Sequence, residues 1–186
     1  MSRWSLNAER RTPETPVVLS LGSNLGAREE HVLAGASALA GLDGFELLAL
    51  SSLYESSPIG ISTDRVFINA ACTARCRLTV REMLAATREI ERRHGRGTAN
   101  AFRDRTLDID IILFGGEVIL ESDLLVPHPR FRERLFVLVP LMEICPDSLV
   151  PPDRLTIADV YRLCEGEGWV RRVSGRVDRS NFLKTK

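Results

Sequence analysis

Apolar residues in this chain fall into short runs separated by stretches with helical spacing. Val17, Val18, Leu19 and Leu21 make residues 16–21 a buried strand. The Gly-Ser-Asn-Leu-Gly segment at 22–26 predicts a turn. Val32, Leu33, Ala36, Leu39 and Ala40 then recur on one stripe, which predicts a helix over residues 28–40. Residues 45–54 and 66–76 read as two further strands, joined by a link at 55–65 that is long for a hairpin and so a candidate functional loop. Thr79-Val-Arg-Glu82 is a capping box opening a second helix, with Val80, Met83, Leu84, Thr87 and Ile90 inward. A basic, glycine-containing loop at 94–104 leads into a fourth strand at 105–114. Gly115-Gly116 predicts a tight hairpin from that strand into residues 117–120. Helical structure is expected at 132–144 and again from about Thr156, and the segment after Pro152 is expected to pack and then fray.

The order strand, helix, strand, strand, helix, strand predicts an α+β sandwich with a ferredoxin-like βαββαβ core: a mainly antiparallel sheet, helices on one face, and a C-terminal hairpin and helices. With 186 residues, one domain over 16–186 and a loose polar tail over 1–15 are expected. That fold hosts many activities and decides none.

Charge narrows the field by removing options. Lys+Arg and Asp+Glu are both 25, so nothing global attracts nucleic acid or a membrane surface, and any phosphate binding must be local. No run is long enough to cross a membrane, and the first fifteen residues lack an apolar signal core. Cys72, Cys76, Cys145 and Cys164 contain no Cys-x-x-Cys pair, and on one strand Cys72 and Cys76 would stand about 13 Å apart. Free thiols in a reducing cytoplasm are expected, and His31, His94 and His128 lack zinc-ligand spacing.

The unusual chemistry is on the fourth strand, Arg105-Thr-Leu-Asp-Ile-Asp-Ile-Ile-Leu-Phe114. Side chains at i and i+2 share a face, so Asp108 and Asp110 sit side by side, with Ile112 and Phe114 expected to continue that face into the core. Adjacent carboxylates repel unless a cation lies between them, which suits Mg²⁺ and a polyphosphate. On the strand alone, two solvated aspartates remain the alternative.

Several blocks together resemble the 6-hydroxymethyl-7,8-dihydropterin pyrophosphokinase family: Leu21-Gly-Ser-Asn-Leu25, Ser51-Ser-Leu-Tyr-Glu-Ser-Ser-Pro-Ile-Gly60, Phe67-Ile-Asn-Ala-Ala71, Ile90-Glu91 with Gly95-Arg96, Arg105-Thr-Leu-Asp-Ile-Asp110, and Val126-Pro-His-Pro129. The resemblance implies transfer of the β,γ-diphosphate of ATP to the pterin hydroxymethyl group, with release of AMP and use of two Mg²⁺ ions. It assigns Asp108 and Asp110 to the metals, Asp108 also to the substrate, and Arg96, Arg105 and Asp110 to catalysis. Glu91, Arg96, Arg105, Ile111, His128 and Arg134 fall to ATP. Gly22, Ser56, Ser57, Pro58, Ile59, Phe67, Asn69, Phe102 and Phe136 fall to the pterin. Asn69 offers both donors and an acceptor, and Phe67 and Phe136 offer flat faces.

From the residues alone, His128 reads as a turn residue between prolines, Glu91 as a helix-end charge, and the phenylalanines as core. Ala101 and Phe102 stand where the family commonly has arginine and tryptophan, Pro129 where an aromatic is common, and Leu125 where a polar residue is. The partners expected are ATP and the pterin, acting on a cytoplasmic monomer without nucleic acid or membrane. The general base stays open between Asp110 and a metal-acidified hydroxyl. Two other classes compete: a different metal-dependent phosphoryl- or nucleotidyltransferase, and a non-enzymatic ferredoxin-like binding module.

Overall fold

The computed structural model describes residues 14–60, 63–95 and 104–173. In chain order the elements are β1 (Thr15–Ser23), α1 (Arg28–Ala40), β2 (Phe45–Leu50), β3 (Tyr54–Ser56), β4 (Phe67–Cys76), α2 (Val80–Arg93), β5 (Asp108–Phe114), β6 (Ile119–Glu121) and β7 (Leu124–Val126). A 3₁₀ turn (Phe131–Glu133) follows, then α3 (Leu135–Ile144), β8 (Leu149–Val150), β9 (Leu155–Thr156), α4 (Ile157–Leu163) and β10 (Val170–Arg172).

Six strands form one antiparallel sheet in the order β10-β3-β4-β1-β5, with β2 also pairing β4. Alternation along the strands assigns each face its own core. Val17, Leu19, Leu21, Ile68, Ala70, Ile109 and Ile111 point to the face covered by α1 and α2, through Val32, Ala36, Leu39, Met83 and Ile90. Val18, Ala71 and Ile112 point to the opposite face, covered by Val137, Leu138 and Leu141 of α3 and Ile157 and Val160 of α4. Helices therefore pack on both faces, where the sequence pattern placed them on one. The predicted capping box at Thr79 and Glu82 is present. A second box, Thr156 with Asp159, opens α4.

Four further readings change. The strand expected over 45–54 is broken. Ser51 turns its hydroxyl inward to accept the Ala71 N–H at 2.9 Å, replacing a backbone carbonyl, and β3 starts three residues later. The Gly115-Gly116 turn forms, but β6 pairs with β7 in a separate two-stranded sheet and not with β5. Strand β10, absent from the sequence reading, adds an edge beside β3. Finally, the β1–β5 register slips between Val18 and Leu19, leaving Ile112 as an extra residue. Phe114 consequently packs on the α1/α2 face with Val17, while Ile112 stays on the face of Asp108 and Asp110.

Candidate active site

The α3/α4 face of the sheet is apolar only along part of its length. Beyond Ala71 and Ile112 it becomes polar, and there it forms the floor of a cavity of about 200 Å³. Strand register arranges that floor in rows. Asn69 of β4, Gly22 of β1 and Asp108 of β5 are cross-strand neighbours in one row. Ala71, Ser20 and Asp110 form the next. At an interstrand spacing of about 4.8 Å, the backbones of Asn69 and Asp108 are separated by about 10 Å across Gly22. A Cβ on Gly22 would come within 3.3 Å of Asn69 Oδ1, so the missing side chain keeps that interval open.

One end of the row is built to read a polar edge. Asn69 is 2% exposed, and its Nδ2 donates to Ser56 Oγ at 2.9 Å, which fixes the orientation of the amide. Phe67 lines the cavity on the same face of β4, and Phe136 of α3 lines it from a second element. The Ser56–Gly60 segment closes that side through Ser56, Ser57, Ile59 and Gly60.

The other end carries charge. Arg105 Nη1 donates to Asp108 Oδ2. Arg105 is itself aimed by Asn24, whose Oδ1 accepts the Arg105 N–H at 2.6 Å while its Nδ2 donates to Asp104 at 3.0 Å. Arg130 and Arg134 complete the cationic lining, so three guanidiniums face two carboxylates among the described residues. Burial pulls Arg134 below its ordinary value, Arg130 adds to this, and Asp110 and Asp108 oppose it. An arginine so placed stays charged at neutral pH. Its guanidinium lies 5.5 Å from the centre of the Phe136 ring, within cation–π range.

His128 is beside the carboxylates, with Nε2 4.0 Å from Asp110 Oδ2. Burial lowers its pKa to about 4, helped by Arg134 and Arg130 and opposed by Asp108. Nδ1 accepts the Arg130 N–H at 3.2 Å, so the proton of the neutral ring is assigned to Nε2 and faces the carboxylate side. The backbone is pinned there by the His128 N–H donating to Ile112 O at 3.0 Å.

Of the residues singled out from the sequence, the cavity gathers Gly22, Ser56, Ser57, Ile59, Phe67, Asn69, Arg105, Asp108, Asp110, Arg134 and Phe136. His128 adjoins it. Pro58 is on the same segment without lining it. Ile111 is buried in the core on the opposite face of the sheet. Glu91 is not an exposed helix end: it is 3% exposed, and its carboxylate accepts the Ile109 N–H at 2.8 Å beneath the sheet. Arg96, Ala101, Phe102 and Arg103 lie outside the described residues. Sequence reasoning missed Ser20, Gly60 and Arg130 as lining residues and Asn24 as the support of Arg105. Ser20 was legible in principle, because it alternates with Gly22 on a strand whose other face is apolar. Arg130 carried no distinguishing signal in an arginine-rich segment.

A sequence model of the 7,8-dihydro-6-hydroxymethylpterin-pyrophosphokinase (HPPK) family matches residues 18–146. The chain belongs to the HPPK family. It is 40% identical over 127 residues to the 2-amino-4-hydroxy-6-hydroxymethyldihydropteridine pyrophosphokinase of Bacillus subtilis, covering 68% of this chain and 76% of that one. The enzyme of the same name from Pseudomonas aeruginosa is 35% identical over 159 residues, covering 86% and 97%. A crystal structure of the Plasmodium falciparum HPPK-DHPS protein shares the fold, with a TM-score of 0.66 at 16% identity over 83% of this chain. The chain spans only 45% of that longer protein. Every lining residue from Ser20 to Phe136 falls inside the segment matched to the HPPK family, whereas α4 and β10 fall beyond it. Among the described residues no helix is long and apolar enough to cross a membrane.

Proposed function

We propose that this protein transfers the β,γ-diphosphate of ATP to the hydroxymethyl group of 6-hydroxymethyl-7,8-dihydropterin, releasing AMP, as a step of folate biosynthesis. One observation carries the reading beyond family membership. A single row of the sheet holds Asn69 and Asp108 on either side of Gly22, so a hydrogen-bonding slot and a charged site share one cavity. Phe67 and Phe136 supply stacking surface for a flat heterocycle at one end, and Arg105, Arg130 and Arg134 supply cations for a polyphosphate at the other.

The donor set fits Mg²⁺. It is all oxygen, it offers two carboxylates one strand-repeat apart, and it leaves other positions to phosphate oxygens and water. Asp108 and Asp110 would hold two such ions, which supply charge neutralisation and polarisation of the attacked phosphoryl group when bound. The remaining tasks belong to the chain's own groups. The guanidiniums of Arg105, Arg134 and Arg96 donate in pairs to phosphate oxygens and stabilise charge developing there. The Nε2–H of neutral His128 donates to a phosphate oxygen. With Nδ1 already engaged, His128 is a donor, and loss of the hydroxyl proton falls either to Asp110 as base or to a hydroxyl whose pKa a bound metal would lower. The Asn69 amide, held by Ser56, orients the pterin so that its hydroxymethyl group points along the row toward Asp108. Phe102 covers the pterin once bound, excluding water that would compete with the hydroxyl. Glu91 acts on the nucleotide side by holding the Ile109 backbone, and with it the strand carrying the aspartates.

The order β1, α1, β2, β4, α2, β5, with β4 and β5 flanking β1, supports the ferredoxin-like reading of the core. The free thiols Cys72, Cys76, Cys145 and Cys164 suit a reducing cytoplasm, and a monomer is expected. Burial pushes Cys72 to about 12 and Cys145 to about 11, so neither is a thiolate nucleophile.

The test is product analysis with ATP, Mg²⁺ and the pterin. AMP should form only when all three are present. Release of ADP or of free pyrophosphate in place of AMP would instead put the chain among other phosphoryl or nucleotidyl transferases. No ATP consumption would leave a binding module. A folded Asp110→Ala variant that still makes AMP at the wild-type rate would remove Asp110 from the chemistry.

A further inference from the structure

The Ser56–Gly60 segment lines the cavity with four residues, and β4 supports it on one side while a part of the chain beyond the family-matched region supports it on the other. Strand β10 pairs with β3 in the register Val170–Ser56, Arg171–Glu55 and Arg172–Tyr54. The pairing runs past the end of β3. Ser57 N donates to Trp169 O at 3.1 Å, and Trp169 N donates back to Ser57 Oγ at 3.1 Å. The Val173 N–H reaches Leu53 O at 2.8 Å on the other side. Two ion-pair anchors hold the strand in place. Arg171 Nε donates to Glu55 at 3.0 Å, and the same carboxylate receives Arg28 of α1 at 3.2 Å. Arg172 reaches Ser52 Oγ and lies 3.8 Å from Glu143 of α3.

At the cavity end of this strut sits Gly168, with φ of +93°. A Cβ there would stand 2.4 Å from Ser57 Oγ and 2.7 Å from Ile59 Cδ1, so Gly168 is in contact with the back of two lining residues. Ser56 in turn holds Asn69. The position of the segment, and through Ser56 the orientation of the amide that reads the heterocycle, is thus set from behind by residues 168–172.

We propose that the Gly168–Arg172 strut, with Gly168 as its contact point, is a positioning element that sets the width of the heterocycle-binding half of the cavity. It acts on affinity for the flat substrate and leaves the polyphosphate half unchanged. This rests on the function proposed above, because it takes the Phe67–Asn69–Phe136 end as the heterocycle site.

The experiment is Gly168→Ala, assayed with each substrate varied in turn. The added Cβ forces Ser57 and Ile59 into the cavity, and the positive φ adds strain. The KM for the pterin should rise about tenfold, with the KM for ATP and kcat at saturating pterin changing less than about twofold. A purely structural defect would lower every parameter together, so the split between the two KM values is the discriminating readout. An unchanged pterin KM, or an equal loss in every parameter, overturns the proposal. If Gly168→Ala does not fold, hydrogen exchange on the wild-type protein decides. Pterin should slow exchange of the Ser57 and Trp169 amides together, and no slowing at Trp169 overturns the proposal. A wild-type protein that makes no AMP from the pterin refutes the activity instead. That result is distinct from an active enzyme indifferent to Gly168.

Discussion

Single side chains in this cavity owe their chemistry to what fixes them. Asp108 and Asp110 are candidates for metal because the neighbouring strand β1 sets Ser20 and Gly22 beside them and Arg105 faces them. Loss of a supporting contact to a metal ligand commonly costs 10- to 100-fold, so loss of a ligand itself should exceed about 100-fold in kcat/KM for Asp110→Ala. His128 makes a pH prediction with a definite sign. Its folded pKa, about 4, lies below the ordinary 6.5, so the folded state binds fewer protons than the unfolded chain between those values. Its neutral form costs no stability above pH 6.5, and stability falls as the pH drops from 6.5 toward 4. His128→Asn should flatten that part of the curve in urea titrations run across pH 4–7. A phosphate chain against Nε2 should raise the pKa, so binding of ATP near pH 5 should take up a proton, measurable by calorimetry in buffers of different ionisation enthalpy. Much of this was legible from residues. The aspartate pair was found because a strand's two-residue period says which side chains share a face. Arg105, Asn69 and both phenylalanines came instead from the resemblance to the family, since periodicity alone reads the phenylalanines as core. Helical spacing places Glu91 near the inner stripe, but nothing along the chain says that the Ile109 amide waits there. Asn24 was invisible because its partners, Asp104 and Arg105, are eighty residues away in sequence.

Elements meet in this fold through a few buried polar fastenings as well as through apolar packing. Glu143 of α3 reaches the gap between β2 and β3, where its carboxylate accepts Ser52 N at 2.8 Å, Ser52 Oγ at 3.0 Å and Tyr54 Oη at 3.0 Å. Burial pushes its pKa up, but the Ser52 N–H, the Tyr54 and Ser52 hydroxyls and Arg172 outweigh that and hold it below the usual carboxylate value. A lowered folded pKa means stability that is present above about pH 4.5 and lost as the pH falls through the folded value. Hydrogen bonds to a charged group contribute about 1.5–3 kcal/mol, so Glu143→Ala should cost about 2 kcal/mol and lower Tm by roughly 4–8 °C in a chain of this size. Thermal melts at pH 7 and pH 4 should show a smaller difference between variant and wild type at the lower pH. The broken strand belongs to the same lesson. A run of apolar residues predicts extended chain, but Ser51 and Ser52 each redirect a hydrogen bond, and only the positions of Ala71 and Glu143 reveal it. The hairpin expected at Gly115-Gly116 failed for a related reason: the glycines supply the turn, while the pairing partner of β6 is chosen by the next three residues that can face it.

Across the whole sequence the formal charges cancel, so attraction of an anion to the cavity rests on local charge such as that of Arg105, Arg130 and Arg134. Shortening the Debye length from about 30 Å at 0.01 M salt to about 8 Å at 0.15 M should raise the KM for ATP and leave that for the uncharged pterin unaltered. Arg130 is exposed at the rim, so Arg130→Ala should raise the ATP KM about three- to tenfold and reduce that salt dependence. Steady-state kinetics at several ionic strengths separates the two effects. The sheet and the first two helices follow from patterns readable along the chain. The helices of the second layer were also expected, but not the face they cover, because α3 is apolar nearly all round and so carries no stripe that chooses a side. The β10 edge was missed because a three-residue strand with two arginines gains its identity from the edge that receives it.

The extra residue at Ile112 gives β5 two independent phases. Upstream of it, alternation is timed to the cavity; downstream, it is timed to the opposite core. A regular strand would tie the two together, so that any slip correcting the packing of Phe114 would invert both aspartates. With the bulge between them, the cavity-facing half and the core-facing half of one strand can drift separately in sequence. Deleting a single residue at that point would remove this freedom, and the chain would then have to misplace either its carboxylates or the Phe114 ring.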